Sequence, residues 1–179
     1  MKLTEMKKRT LALIEEINPD SEFLTDDIDI QAKINYVIDT KQHELARIKK
    51  IPAIETMEVN AGDTMTLQKD IKNFYQLYSI TGVDNEQFGD NVEFKESGIA
   101  TIKYYKYPKM ITTETIDNEY TFELSTDVLE IMPYGVAADL LKSDVSAQFG
   151  KIYEDAYRNA LNMLDTRTSS GTCKIVGGI

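Results

Sequence analysis

The spacing of apolar residues changes twice along this chain, and that change restricts its fold more than any single motif. Early on, apolar side chains recur every three or four positions, at Leu3, Met6, Leu11, Leu13, Ile14 and Ile17, then at Ile30, Ile34, Val37, Ile38, Leu45 and Ile48. Such spacing lays one apolar stripe along each of two helices. The first ends at Asn18-Pro19-Asp20. The second runs from about Asp27 to about Lys50, with acids behind Thr25 at its start, Arg47, Lys49 and Lys50 at its end, and Pro52 just beyond. That charge order suits the helix dipole.

From Ile54 to Leu124 the helical period is lost, and short runs of Thr, Tyr, Phe, Val and Ile alternate with turn formers such as Asn60-Ala61-Gly62-Asp63 and Ser97-Gly98. This texture predicts a small antiparallel β module with strands at 54–59, 64–68, 74–81, 92–96, 100–107 and 120–124. In FYQLYSI and TIKYYKY the aromatics are too dense for in-out alternation, which turns some tyrosines outward or onto another chain. Helical spacing returns after Ser125-Thr126-Asp127 in a segment bearing Pro133, a residue that starts such a helix late or bends it. A last helix carries Phe149, Ile152, Tyr153, Ala156, Tyr157, Ala160, Leu161 and Leu164. The expected fold is mainly α with a β insertion (α+β): a four-helix bundle-like core, two helices before and two after a small antiparallel β module. Residues 1–52 and 125–166 form the helical core, 53–124 the insert and 167–179 a C-terminal arm.

Charge narrows the function. Thirty acidic residues against twenty basic leave a net charge of -10, the wrong sign for a surface that grips phosphate backbones, yet suited to a wall that DNA slides past. The lone cysteine, Cys173, allows no disulfide within the chain. No apolar run reaches 18 residues, and the opening helix is interrupted by Glu15 and Glu16, so neither a membrane span nor a signal peptide is expected.

Searching for chemistry finds little. One histidine, His43, and one distant cysteine supply too few ligands for the usual zinc site, and Cys173 lies past the last helix with nothing to orient it as a nucleophile. DNEQFGDNVEFK mimics a calcium loop in Asp84, Glu86 and Gly89, but Phe88 and Lys95 occupy ligand positions, and the stretch reads as a solvated acidic turn. Phosphate-cradling glycine motifs are missing, so no catalytic group, cofactor or metal is expected. Glu15-Glu16 and Asp26-Asp27 read as surface and helix-end charges, and Lys7-Lys8-Arg9 and Arg47-Lys49-Lys50 as solvated faces or inter-subunit ion pairs.

The run IKYYKYPKMI, the later LSTDVLEIMPYGVAADLLKSD and the helix FGKIYEDAYRNALNML resemble the head-tail connector (adaptor) proteins of tailed bacteriophages, over residues 100–165. The long β insertion departs from the smallest, all-helical connectors. What the resemblance implies is a structural neck subunit: a homo-oligomeric ring, usually dodecameric, made in the host cytoplasm and built into the virion between portal and tail, with DNA passing its lumen. Partners would be the portal protein and a downstream neck or tail-completion protein. A tail-completion or other neck protein, or a small non-catalytic regulatory binding module, is the alternative. Two sets of residues are candidates for contact. Cys173, Lys174, Ile175, Val176 and Ile179 follow the flexible lead Ser169-Ser170-Gly171 and read as an inter-ring docking segment able to add a strand to another sheet. Tyr75, Tyr78, Tyr104, Tyr105 and Tyr107 read as interface aromatics of the β module.

Overall fold

The computed structural model describes residues 1–143 and 147–167. Its elements are α1 (Leu3–Leu13), α2 (Ile28–Ile48), β1 (Ile51–Val59), β2 (Thr64–Thr66), the single turn α3 (Leu67–Asp70), β3 (Phe74–Thr81), β4 (Asn85–Phe88), β5 (Asn91–Phe94), β6 (Gly98–Lys106), α4 (Thr126–Leu140) and α5 (Ala147–Arg167). They fall into two compact units: Met1–Lys41 with the chain from Thr112 on, and Gln42–Ile111. The divisions expected from sequence lay after residues 52 and 124. Helix α2 contributes to both units, the first as far as Lys41 and the second from Gln42.

In the helical unit, α4 packs on α1 and on α5. Leu3, Met6 and Leu11 of α1 and Val128, Met132 and Val136 of α4 are fully or almost fully shielded from water. The first amides of α1 have no partner within the helix. A turn far along the chain supplies two: Leu3 N–H donates to the Tyr120 carbonyl at 3.1 Å and Thr4 N–H to that of Asp117 at 3.3 Å. Lys7 adds an ion pair to Asp117 at 2.8 Å, and Arg9 pairs with Glu5 at 2.8 Å. Lys7 and Arg9 of the basic run therefore have acidic partners inside the chain. Helix α2 starts on an Asp27 cap, whose Oδ1 accepts from Asp29 N–H at 2.8 Å and Ile30 N–H at 3.0 Å. Its carboxylate satisfies donors that the helix leaves open.

Pro133 lies well inside α4 rather than in its first turn, and the helix starts at Thr126 regardless. Burial of Val128, Leu129, Met132 and Val136 around the proline supplies the packing that offsets the missing backbone hydrogen bond. Gly135 lets the same helix approach its neighbours closely: a Cβ there would stand 2.9 Å from both the Tyr157 ring and the Lys41 stem. Beside it the buried Lys41 ammonium is 2.8 Å from Asp139 and 4.9 Å above the Tyr157 ring. Lys142 is the second cation on Asp139. Burial alone would raise the Asp139 carboxyl's pKa, but the hydrogen bonds from Lys142 and Lys41 together outweigh it and hold the group below its ordinary value.

Thr10, on α1, is fully buried, and its hydroxyl lacks a hydrogen-bond partner. Thr10→Val keeps the shape and removes the dry hydroxyl, so it should stabilise the protein by about 1 kcal/mol in urea denaturation.

In the β unit, one sheet has the strand order β1-β6-β3 and the other β2-β5-β4, both antiparallel. Their inner faces share a core of Phe74, Val92, Phe94, Ala100, Ile102 and Tyr104, closed by Leu67 of α3 and Ile71 just after it. Each of the larger apolar side chains sealed there contributes roughly 1.5–3 kcal/mol.

The mainly-α, four-helix bundle-like core with a small insert does not form. Among the described residues there are five α-helices and two three-stranded antiparallel sheets, and the helices are split by the β structure. Two physical causes stand out. The last part of α2 buries Leu45 and Ala46 in the unit that holds the sheets, and α1, at 11 residues, is too short for a bundle helix. The space is taken by the irregular segment before α4, where Tyr120, Phe122 and Leu124 are buried and the two rings meet edge-on at 5.3 Å. That segment was expected to be a strand, yet it makes only an isolated bridge, Lys2 to Thr121.

The solvated acidic turn expected around Gly89 is the exposed loop of a β-hairpin whose first strand was not expected. Strands β4 and β5 pair from Asn85–Phe94 to Phe88–Asn91, leaving Gly89 and Asp90 as its two-residue loop. Gly89 takes φ +62°, the positive φ that such a loop demands. Lys95 bridges Glu93 at 2.7 Å and Glu86 at 3.2 Å, and those hydrogen bonds, led by the one to Glu93, raise its pKa. The ammonium supplies the positive charge between the two carboxylates.

Candidate functional site

Strand β3 departs from regular pairing in a way that decides where its tyrosines go. Against β6, Phe74 pairs with Lys106 but Gln76 with Tyr105, and Leu77 pairs with Tyr104 but Ser79 with Lys103. Tyr75 and Tyr78 are thus the extra residues of two bulges. Each bulge resets the in-out alternation. Phe74, Leu77 and Ile80, three residues apart, consequently all belong to the core side.

The opposite face of this sheet is open. Strand β6 sends Ala100, Ile102 and Tyr104 inward, which leaves Ile99, Thr101, Lys103 and Tyr105 outward. Ile54 of β1 lies opposite Lys103, and Tyr105 is flanked by Pro52 on one side and Gln76 on the other. Ile54, Ile99 and Tyr78 are exposed by 67%, 64% and 69%, with Ile54 and Tyr78 towards one end of the face and Ile99 towards the other. Tyr78 meets Tyr105 edge-on at 6.1 Å, and the Lys50 ammonium sits 5.0 Å above the Tyr105 ring while donating to Gln76 Oε1 at 2.7 Å. The rings are held in place before any partner arrives, which lowers the entropy cost of binding.

Of the five tyrosines singled out by sequence, Tyr78 and Tyr105 form this face. Tyr75 and Tyr107 make a second pair, 4.7 Å between centroids, with the His43 ring 5.9 Å from Tyr107. Tyr104 is turned the other way: it is 8% exposed and stacked on Phe74 at 5.8 Å. Burial, with a smaller contribution from the Glu55 charge, raises the Tyr104 pKa, so its hydroxyl stays neutral in the core. Cys173, Lys174, Ile175, Val176 and Ile179 lie outside the described residues, as does the Cys173 side of any pairing with His43. Sequence reasoning missed Ile54, Ile99, Lys50 and Lys103 as members of the face. Their signal was the alternation of Gly98–Lys106, which becomes readable once Ile102 and Tyr104 are assigned inward.

Chemically the face offers hydrophobic contact, aromatic edges and two ammonium groups, Lys50 and Lys103, which together suit protein binding. Among the described residues no group of three His, Cys, Asp or Glu side chains is placed to hold a metal ion, and no helix is long and apolar enough to cross a membrane. No protein-family model and no curated protein matches this chain.

Proposed function

We propose that this protein is a structural subunit that works by docking protein through the outer face of its β1-β6-β3 sheet. The observation that carries this reading is the exposure of Ile54 and Tyr78 beside Tyr105, with Ile99 exposed further along the same face. Apolar surface of this kind is stable in water at a cost and is recovered when a partner covers it. The setting we propose is the neck of a tailed bacteriophage, where copies form a ring between portal and tail, with DNA passing through. Its support is the similarity of residues 100–165 to head-tail connector proteins, together with the net charge of -10, which would let DNA pass without adhering.

The test is to mix the full-length chain with the cognate portal, the protein at the vertex of the filled head, and image the product. A collar of regular symmetry is expected. Ile54→Ser with Tyr78→Ser, both at exposed positions, should leave folding intact and weaken docking of the next neck or tail component by about 2 kcal/mol or more. Tight, salt-sensitive DNA binding by the isolated chain would overturn the conduit role.

A further inference from the structure

In the helical unit a cleft of about 630 Å³ opens where the end of α1, the start of α2, the end of α4 and the start of α5 meet. Leu13, Ile14, Ile30, Leu140, Leu141 and the ring of Tyr153 give it an apolar floor, although polar atoms make up the larger share of its lining. Phe149 stands at the mouth, 62% exposed. The two walls are tied together, because the Tyr153 hydroxyl donates to the Leu13 carbonyl, one of those that the end of α1 leaves without an intrahelical partner. That hydrogen bond fixes the start of α5 against the end of α1 beside the cleft.

The charges around it are mainly acidic. Among the described residues Glu15, Glu16, Asp27 and Asp29 border the cleft, against one base, Lys33. Asp27 is engaged in capping α2, but Glu15, Glu16 and Asp29 stand exposed. An apolar floor rewards an occupant with apolar side chains, and an acidic rim selects one that carries cations beside them. Nucleic acid meets the wrong charge, and an acidic helix is repelled by several kcal/mol. We propose that this cleft docks a basic amphipathic helix of a protein partner, with its apolar side chains on the floor and its lysines or arginines against Glu15, Glu16 and Asp29. Size agrees, since clefts of a few hundred to about 1,000 Å³ hold ligands of several side chains.

The probe is a labelled helical peptide of leucine and lysine in amphipathic order, titrated into the full-length protein and followed by fluorescence anisotropy. Saturable binding is expected. Neutralising the rim with Glu15→Gln, Glu16→Gln and Asp29→Asn should weaken it by about tenfold. A charge-matched control, Asp84→Asn, Asp90→Asn and Glu96→Gln, removes the same charge from exposed positions of the β unit and should change affinity less than about twofold. Phe149→Ala, at an exposed site, should also weaken the probe, and replacing the peptide's leucines by serines should abolish binding. The proposal is overturned by equal losses in the two triple variants, by undiminished binding of the serine peptide, or by an unaltered protein that ignores the probe. A shift in the protein's own oligomeric state on neutralising the rim would assign the cleft to a second copy and likewise overturn it. None of these outcomes touches the residues of the sheet face, so the two readings fail separately.

Discussion

Gly82→Ala is expected to lower the unfolding free energy by about 3 kcal/mol, of which the positive φ accounts for roughly 1–2 and forced repacking for the rest. Gly82 follows β3 at φ +99°, and a Cβ there would lie 2.3 Å from the Ile99 carbonyl oxygen. That neighbour is backbone, and it belongs to β6, the central strand of its sheet, so it has no rotamer by which to yield. Two other glycines separate strain from collision. Gly62 and Gly89 also have positive φ, +91° and +62°, but nothing lies within 4 Å of the added carbon. Gly62→Ala and Gly89→Ala should each cost only about 1 kcal/mol. Urea denaturation of the three variants checks the order, and equal losses would refute the collision.

Asp139→Ala should cost about 3 kcal/mol, since it takes the carboxylate away from a buried ammonium. Lys41 has 8% of its side chain exposed and cannot readily turn to water. The variant should also change how stability depends on pH. The Asp139 carboxyl titrates lower in the folded chain than its ordinary value of 3.8, so in that range the unfolded chain binds more protons. Its contribution is therefore full above the ordinary value and fades as the pH falls through the depressed folded one. Asp139→Ala should flatten that acid limb, which denaturation series between neutral pH and about pH 3 would show. A limb as steep as the parent's would assign the acid loss to other carboxylates.

The helices were legible in sequence because helical spacing is local: α2 and α5 fall within a few residues of their expected bounds, and α1 stops at Leu13, before Asn18-Pro19. What depends on distant residues was not. Nothing local marks Lys41 as buried; only the fold brings Asp139 and Tyr157 against it. Strand β1 starts at Ile51, not Ile54, because a proline at the edge of a sheet can direct its missing N–H away from the ladder. Strand β4 was hidden by its composition, Asn-Glu-Gln-Phe, which carries no β-branched residue and sits beside a glycine. In the candidate site, density of tyrosine pointed to the right region, but only bulge geometry tells Tyr78, which faces water, from Tyr104, which does not.

Those same bulges make the two borders of the β1-β6-β3 sheet unequal. A doubly bulged margin bends and twists, so another chain finds no regular row of amides and carbonyls along β3. Strand β1 keeps unbroken register with β6 from Ile51 to Val59. The bulged border gives a further strand no regular ladder to continue, so along that margin the sheet is guarded against stacking into a fibre.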